Sequence, residues 1–138
     1  MALRPLSLVV ASGLVAAMVV SQFSSANQAQ DSAAKPGKLL RHVVLLKFKE
    51  GVTPAQVTEV TDAFSALPGK IPEIVEFEWG TDVSVEKKTE GYTHCFFVSF
   101  KDEKGRETYI PHPAHADFGK LVGPRLDKVL VVDYWSRK

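Results

Sequence analysis

The sequence has only one cysteine, Cys95, among 138 residues. A single thiol cannot form an internal disulfide, and the paired cysteine spacings of structural zinc sites are missing. Cys95 lies in the apolar segment HCFFVSF, which is typical of a strand. We therefore predict that its thiol is buried in the core and is not a reactive nucleophile.

The sequence also lacks an excess of charge of either sign. It contains 17 Lys and Arg against 16 Asp and Glu, which gives a formal net charge of +1. No basic stripe is present, and the aromatic residues do not alternate with Lys or Arg. These features argue against nucleic acid as a partner.

No apolar run reaches the roughly 20 residues that a membrane-spanning helix needs. The longest extends over residues 6–20, follows Arg4, and precedes the small residues Ser24-Ser25-Ala26. This pattern is typical of a signal peptide over residues 1–26, with cleavage after Ala26. We therefore expect a protein exported to the periplasm or secreted, with no stable membrane span after cleavage; an uncleaved N-terminal anchor is the alternative.

The segment after the signal peptide has almost no large apolar residue. Residues 27–38, NQAQDSAAKPGK, are polar or small and end with a Pro-Gly break, so we predict a flexible linker. The folded domain then comprises residues 39–138. A domain of this size buries a modest core, and dimerisation would bury more apolar surface.

Strand and helix patterns alternate along this domain. Leu39–Phe48 is β-branched and apolar on both faces, which predicts a strand covered on both sides. Thr53, Pro54 and Gln56 form a helix start signal, and Pro68-Gly69 ends the helix. The stripe that this helix would bury is Val57, Val60, Phe64 and Leu67.

The rest of the domain predicts two strands, a second helical region and a final strand. In the first strand, Glu73–Gly80, we expect Val75, Phe77 and Trp79 on the buried face. The second strand is Tyr92–Phe100; a helix broken near Pro111 and restarting at about Pro113 follows, and Lys128–Trp135 is the last strand.

The resulting order, β-α-β-β-α-β, predicts an α+β fold of the ferredoxin-like type. One antiparallel sheet would carry both helices on one face. Its other face would remain uncovered, although several strands are apolar on both sides. We therefore predict a homodimer in which two sheets pack face to face to form a dimeric α+β barrel.

Four polar groups stand out in apolar surroundings: His42, His94, Tyr109 and His115. The simplest interpretation of His42 and His94 is that each is a hydrogen-bonded core histidine. A metal site is a second alternative, because His112 and His115 share the i, i+3 spacing of one helix face; it would need His94 and Asp117 or another group as further ligands.

Acid–base chemistry is the third alternative. A histidine titrates near neutral pH, and a phenol beside it can donate a hydrogen bond to a developing oxyanion. Tyr109 and His115 flank the rigid segment Pro111-His112-Pro113, in which His112 is the turn residue. The spacing therefore favours Tyr109 and His115 as a pair for proton abstraction next to a carbonyl.

Several motifs together resemble the stress-responsive α/β-barrel (Dabb) family over Leu40 to Trp135, and in particular a plant polyketide cyclase within it. The motifs are RHVVLLKFK, WGTDVS, EGYTH, YIPHPAH followed by FG, and the terminal DY and RK. The resemblance implies a dimeric ferredoxin-like fold. For the cyclase it implies a C2 to C7 aldol condensation of a linear tetraketide thioester, with the carboxylate retained and without metal or cofactor.

Matched residue by residue, the resemblance implies that Tyr109 and His115 are catalytic and that His42 and His94 contact the substrate. His115 would be the general base, and Tyr109 would hydrogen-bond the carbonyl or enolate. We expect an exported stress-responsive dimer that binds a small molecule in a pocket between sheet and helices. The alternative is a cyclase-like lyase, independent of cofactors, that acts on a small carbonyl compound by Tyr/His acid–base catalysis.

Overall fold

The computed structural model describes residues 37–137. The predicted signal peptide, its cleavage site and most of the predicted linker lie outside the described residues. Within 37–137, no helix is both long enough and apolar enough to cross a membrane.

The elements follow the predicted order, with the second helical region divided in two. Their bounds are β1 Leu40–Phe48, α1 Pro54–Ser65, β2 Ile74–Thr81, β3 His94–Phe100, α2 Glu103–Tyr109, α3 Pro113–Val122, and β4 Leu126–Trp135 after one 3₁₀ turn, Gly123–Arg125. The four strands form one antiparallel sheet in the order β2-β3-β1-β4. The ferredoxin-like prediction is therefore confirmed.

Helix α1 begins where the sequence signal indicated. The Thr53 side chain accepts a hydrogen bond from the Gln56 amide, and the Gln56 side chain accepts one from the Thr53 amide. This reciprocal capping satisfies two backbone donors that would otherwise have no partner at the helix start. The helix packs on the sheet through Phe64, which stacks on Phe96 with ring centroids 4.1 Å apart.

The sheet has two unlike faces because side chains alternate along each strand. The helices cover most of one face, which we call the helix face and which holds the buried core, but Val129 and Val131 on the edge strand β4 stay about half exposed there. The members of this core include Leu40, His42, Val44, Leu46, Phe96, Val98 and Phe100. The opposite side, the outer face, carries Arg41, Val43, Leu45, Lys47, Glu76, Glu78, Cys95, Phe97, Ser99, Lys128, Leu130, Val132 and Tyr134.

Three predictions about burial are wrong. Trp79 is 44% exposed, although it lies on the helix face of β2. Cys95 is exposed, because it occupies an outer-face position on β3 and no helix in residues 37–137 covers that face. Val75 is also exposed, at 49%, whereas Ile74 enters the core. The register of β2 against β3 shifts between Ile74 and Glu76. Such a bulge inserts one extra residue and reverses the alternation on one side of it.

Strand β3 begins later than the sequence predicted. Tyr92 and Thr93 belong to the connection before it, where the Thr93 amide donates to the Leu46 carbonyl at 3.0 Å. Gly91, in the EGYTH segment, has φ +85°, and a Cβ built there would lie 2.8 Å from the Lys47 side chain. A side chain at position 91 would therefore strain the turn that leads into β3.

Candidate acid–base site

Tyr109 is the last residue of α2, and its ring is enclosed by the helix face of the sheet. The residue is 1% exposed, and its ring lies 5.0 Å from that of Phe100 and 5.7 Å from that of His42, measured between centroids. Its hydroxyl oxygen is buried and has no hydrogen-bond partner among residues 37–137. Burial raises the pKa of Tyr109, so the phenol stays protonated and can act as a hydrogen-bond donor.

The Pro-His-Pro segment forms the tight connection between α2 and α3. The His112 amide donates to the Tyr109 carbonyl at 3.1 Å, and His112 Nδ1 accepts from the Ala114 amide at 3.1 Å as the N-cap of α3. Pro113 then occupies the first helical position, where a missing N–H has no cost. The prediction that His112 is the turn residue is confirmed.

His115 lies in the first turn of α3, directly beside Tyr109. The two ring centroids are 4.3 Å apart, with an angle of 38° between the planes. His115 Nδ1 lies 2.8 Å from the Ile110 carbonyl oxygen. Because a carbonyl can only accept, Nδ1 of a neutral His115 must carry the proton, and Nε2 is left with a free lone pair. His115 is thus oriented as a proton acceptor at Nε2.

His42 lies on the helix face of β1 and also contacts the Tyr109 ring, at 5.7 Å between centroids. It is buried, and its Nδ1 lies 2.6 Å from Oδ1 of Asp133. The second carboxylate oxygen of Asp133 accepts a hydrogen bond from Arg106 at 2.9 Å. We call this set of contacts the Arg106–Asp133–His42 bridge. The structure therefore brings together His42, Tyr109 and His115, three of the four residues predicted for a site.

Sequence reasoning missed Asp133 and Arg106. Asp133 is the only acidic residue in the apolar segment KVLVVDYW, which was the one signal that could have pointed to it. It lies opposite His42 in the β1–β4 register, although the two residues are 91 positions apart in sequence. Arg106 precedes Tyr109 by three positions and so projects from the same side of α2.

His94 lies apart from these three residues. It is paired with Leu46, whereas His42 is paired with Val98. His94 and His42 therefore lie four residues apart along the direction of the strands, which is a distance of about 13 Å. Its Nδ1 lies 2.9 Å from the Thr93 hydroxyl, and its ring stacks on Trp79 with centroids 6.2 Å apart.

The surroundings of His94 are partly apolar. Burial lowers its pKa from the ordinary value of 6.5, so the neutral imidazole is favoured. The residue lines a cavity of about 220 Å³ together with Tyr92, Thr93 and Cys95. The cavity also borders Leu45 and Cys95, which lie on the outer face, so it does not lead to Tyr109 on the helix face. A role for His94 in contacting a substrate, as the resemblance implies, would require a molecule long enough to extend from Tyr109 along the helix face to His94.

The described residues do not form an obvious metal site. No group of three or more His, Cys, Asp or Glu side chains in 37–137 is arranged to hold a metal ion. The sequence alternative paired His112 with His115. Nδ1 of His112 is already used to cap α3, and Nδ1 of His115 is used by the Ile110 carbonyl.

The Tyr109 site is closely packed. Five surface cavities formed by residues 37–137 have volumes of about 220 to 580 Å³, and none of these five is lined by Tyr109 or His115. A ligand that reaches the Tyr109 hydroxyl must therefore displace part of its surroundings.

Together, the sheet order and the buried tyrosine between two histidines define a ferredoxin-like α+β protein with a candidate acid–base site. The chain belongs to the stress responsive A/B barrel domain family, whose model matches residues 40–136. The family and the fold expected from the sequence motifs are thus confirmed.

Two curated relatives match this chain over a similar length. A stress-response A/B barrel domain-containing protein of Arabidopsis thaliana is 41% identical over 95 residues, which are 69% of this chain and 87% of the relative. The olivetolic acid cyclase of Cannabis sativa is 38% identical over 99 residues, which are 72% of this chain and 98% of the cyclase.

Solved structures of similar fold include an enzyme and a dimeric protein. The hydroxynitrile lyase of Passiflora edulis superposes with a TM-score of 0.70 at 26% identity and covers 75% of this chain and 97% of its own. A dimeric ferredoxin-like protein of unknown function from Thermobifida fusca has a TM-score of 0.63 at 29% identity, with coverage of 72% and 92%. Relatives of this chain thus include a cyclase, a lyase and a dimer.

Proposed function

We propose that this protein is a homodimeric lyase or cyclase that forms or cleaves a carbon–carbon bond next to a carbonyl group, without a cofactor. One observation carries the proposal. The buried hydroxyl of Tyr109 has no hydrogen-bond partner in residues 37–137, and the Tyr109 ring contacts two histidines, His42 and His115, whose Nδ1 atoms are both hydrogen-bonded. The identity with olivetolic acid cyclase and the structural likeness to a hydroxynitrile lyase support the same class of reaction.

The unsatisfied hydroxyl has an energetic cost that a ligand can remove. A buried donor without a partner costs about 1–3 kcal/mol of folding free energy. A carbonyl oxygen placed against Tyr109 would restore the lost hydrogen bond. The bond would strengthen as negative charge develops on that oxygen, which stabilises the transition state more than the ground state.

The proposed condensation proceeds in three steps. Nε2 of His115 takes a proton from the carbon next to the first carbonyl, and the C–H electron pair moves to give an enolate whose oxygen accepts a hydrogen bond from Tyr109. The enolate carbon then bonds to the carbon of a second carbonyl. The oxygen of that second carbonyl takes the proton back from His115, so the side chain returns to its starting state.

A second candidate function is small-molecule binding without chemistry, in a stress-responsive dimer. The close packing around Tyr109 favours it, because none of the five described cavities opens onto that residue. In this case His42 and His115 would be satisfied core groups. Native mass spectrometry of the wild type and a Tyr109→Phe, His115→Ala double variant in a cell extract would reveal a retained ligand.

The dimer is part of the proposal. The outer face exposes Leu130, Val132 and Tyr134, and nothing in residues 37–137 covers them. Two solved relatives, from Thermobifida fusca and from Jannaschia, are dimeric ferredoxin-like proteins. We propose that two copies pack through this face of the sheet, and that residues 1–26 direct export of the chain.

Turnover of two probes tests the proposal. Racemic mandelonitrile reports carbon–carbon cleavage through the absorbance of benzaldehyde, and a linear tetraketide thioester reports cyclisation by chromatography. Wild type should accelerate at least one probe. Tyr109→Phe should lower kcat by about 10²–10³-fold, the usual effect of removing one oxyanion donor.

The matched control is Tyr134→Phe, which makes the same chemical change on the outer face. It should retain wild-type turnover. If wild type accelerates neither probe, or if the two tyrosine variants behave alike, the catalytic proposal fails and the binding function takes its place.

A further inference from the structure

We infer that Asp133, anchored by Arg106, is a positioning residue that fixes His42 in the Nδ1–H tautomer, so that Nε2 of His42 is a second proton acceptor in the Tyr109 site. The functional part of this inference rests on the proposed function. The tautomer is a property of the protein alone and can be measured without a substrate.

The carboxylate of Asp133 is divided between two partners. Oδ1 lies 2.6 Å from His42 Nδ1, and Oδ2 accepts from Arg106 at 2.9 Å. The three residues come from three elements, β1, β4 and α2. Asp133 reaches His42 directly across the strand pair, and Arg106 reaches Asp133 from the helix that ends at Tyr109.

The chemistry of the carboxylate decides the tautomer. An ionised carboxylate only accepts hydrogen bonds, so a neutral His42 must present its proton at Nδ1 and its lone pair at Nε2. The Ile110 carbonyl imposes the same tautomer on His115. Tyr109 is therefore flanked by two imidazoles whose Nε2 atoms can both accept a proton.

Two acceptors make two positions of a bound substrate open to proton removal. Nε2 of His42, like that of His115, can take the proton from the carbon next to the carbonyl, and the histidine that takes it returns it to the oxygen of the second carbonyl. His115 contacts Tyr109 from α3, and His42 contacts it from the sheet. A substrate bound at the Tyr109 hydroxyl would thus lie near two bases that are carried by different elements of the fold.

The contribution of Arg106 is orientation and not stability. Both Arg106 and Asp133 are partly exposed, and ion pairs of this kind contribute little to the free energy of unfolding. What Arg106 provides is a fixed position for Oδ2, which leaves Oδ1 pointing at His42. Arrangements in which a carboxylate orients an imidazole lose far more activity than stability when the carboxylate becomes an amide.

Asp133→Asn is the decisive variant, because an amide has nearly the same shape but can also donate to a bare Nδ1. The ¹⁵N chemical shifts of the His42 ring should be followed through a pH titration, with the signal assigned by comparison with His42→Gln. In the neutral form, wild type should show a protonated Nδ1 and a bare Nε2. Asp133→Asn should shift the proton to Nε2 in most molecules.

The second readout is kinetics with whichever probe the wild type turns over, mandelonitrile or the tetraketide thioester. Asp133→Asn should lower kcat at least 10-fold with KM changed less than 3-fold. Arg106→Gln should show a smaller loss, and Arg106→Lys should partly recover it. Glu59→Gln is the matched control, since it breaks a similar partly exposed pair, Arg125 with Glu59, without touching this site.

Each outcome separates the inference from the proposed function. A bare Nδ1 in wild-type His42, or an unchanged tautomer in Asp133→Asn, overturns the inference even in an active enzyme. An altered tautomer with unchanged kcat overturns it as well. If wild type is inactive on both probes, the proposed function fails, and the inference is then decided by the tautomer shifts alone.

Discussion

Tyr109 and His115 lie side by side across a Pro-His-Pro turn, with their ring centroids 4.3 Å apart, yet the Tyr109 hydroxyl has no hydrogen-bond partner in residues 37–137. The turn holds the rings in place through backbone contacts and the cap of α3. The site thus keeps a donor unsatisfied inside a packed core, which is an arrangement that favours function over stability.

Replacing Tyr109 by Phe should make the protein more stable. The change removes a buried hydroxyl without a partner and keeps the ring that packs on Phe100, so the free energy of unfolding should rise by about 1 kcal/mol. For a domain of this size the midpoint of thermal unfolding would rise by about 4–8 °C. Calorimetry of wild type, Tyr109→Phe and the outer-face variant Tyr134→Phe measures the effect. A decrease for Tyr109→Phe would show that the hydroxyl is bonded in solution.

His94 should make stability depend on pH below its ordinary pKa of 6.5. Burial lowers its pKa in the folded state, so between that lowered value and 6.5 the unfolded chain binds more protons than the folded one. Stability should therefore fall as pH decreases through this window. His94→Gln should reduce the slope in urea titrations at pH 7.5, 6.5 and 5.5. An identical slope in the variant would remove His94 as its source.

Charge on the outer face should weaken the dimer. Val132 is 46% exposed on the outer face of β4, so the isolated chain tolerates Val132→Glu, whereas a partner sheet would have to bury the new charge. We expect the dimer dissociation constant to rise at least 10-fold, measured by analytical ultracentrifugation. Val83→Glu, in the loop after β2, is the control and should leave association unchanged. Equal behaviour of the two variants would place the interface elsewhere.

Cys95 should report the same interface. Partial desolvation by neighbouring side chains and the nearby Glu78 raise the pKa of its thiol above the ordinary value of 9.0, so alkylation by iodoacetamide should be slow at neutral pH and should accelerate above pH 9. Since Cys95 lies on the outer face, the Val132→Glu variant should react faster than wild type at equal pH. Mass spectrometry gives both rates. Faster labelling of the dimeric wild type would show that the sheets do not cover Cys95.

The N-terminal segment should direct export. Residues 1–38 fused to alkaline phosphatase without its own leader should give periplasmic activity in a bacterial host, and Edman sequencing of the product should begin at Asn27. Replacing two leucines of the apolar run, Leu6 and Leu8, by Arg should keep the enzyme inside the cell and inactive. Activity that stays with the membrane fraction would indicate an uncleaved anchor instead.

Much of the fold could be read from the sequence because the relevant interactions are local. The capping box at Thr53, the proline at position 113 and the β-branched apolar run of β1 are short-range patterns, and each predicted its element to within a few residues. The bulge near Val75 could not be read in this way. It depends on how β2 aligns with β3, and a shift of one residue exchanges the two faces of a strand.

The same distinction between local patterns and long-range contacts applies to the candidate site. The sequence by itself determined the rigid spacing of Tyr109 and His115, since two prolines and a turn fix that geometry locally, and its motifs determined the family. Only the tertiary structure decided that Asp133 meets His42, that Arg106 completes the bridge, that His94 lies at another level of the sheet, and that Cys95 is exposed. These facts follow from strand register and from which face the helices cover. Both are set by contacts between residues far apart in the chain, which no local pattern records.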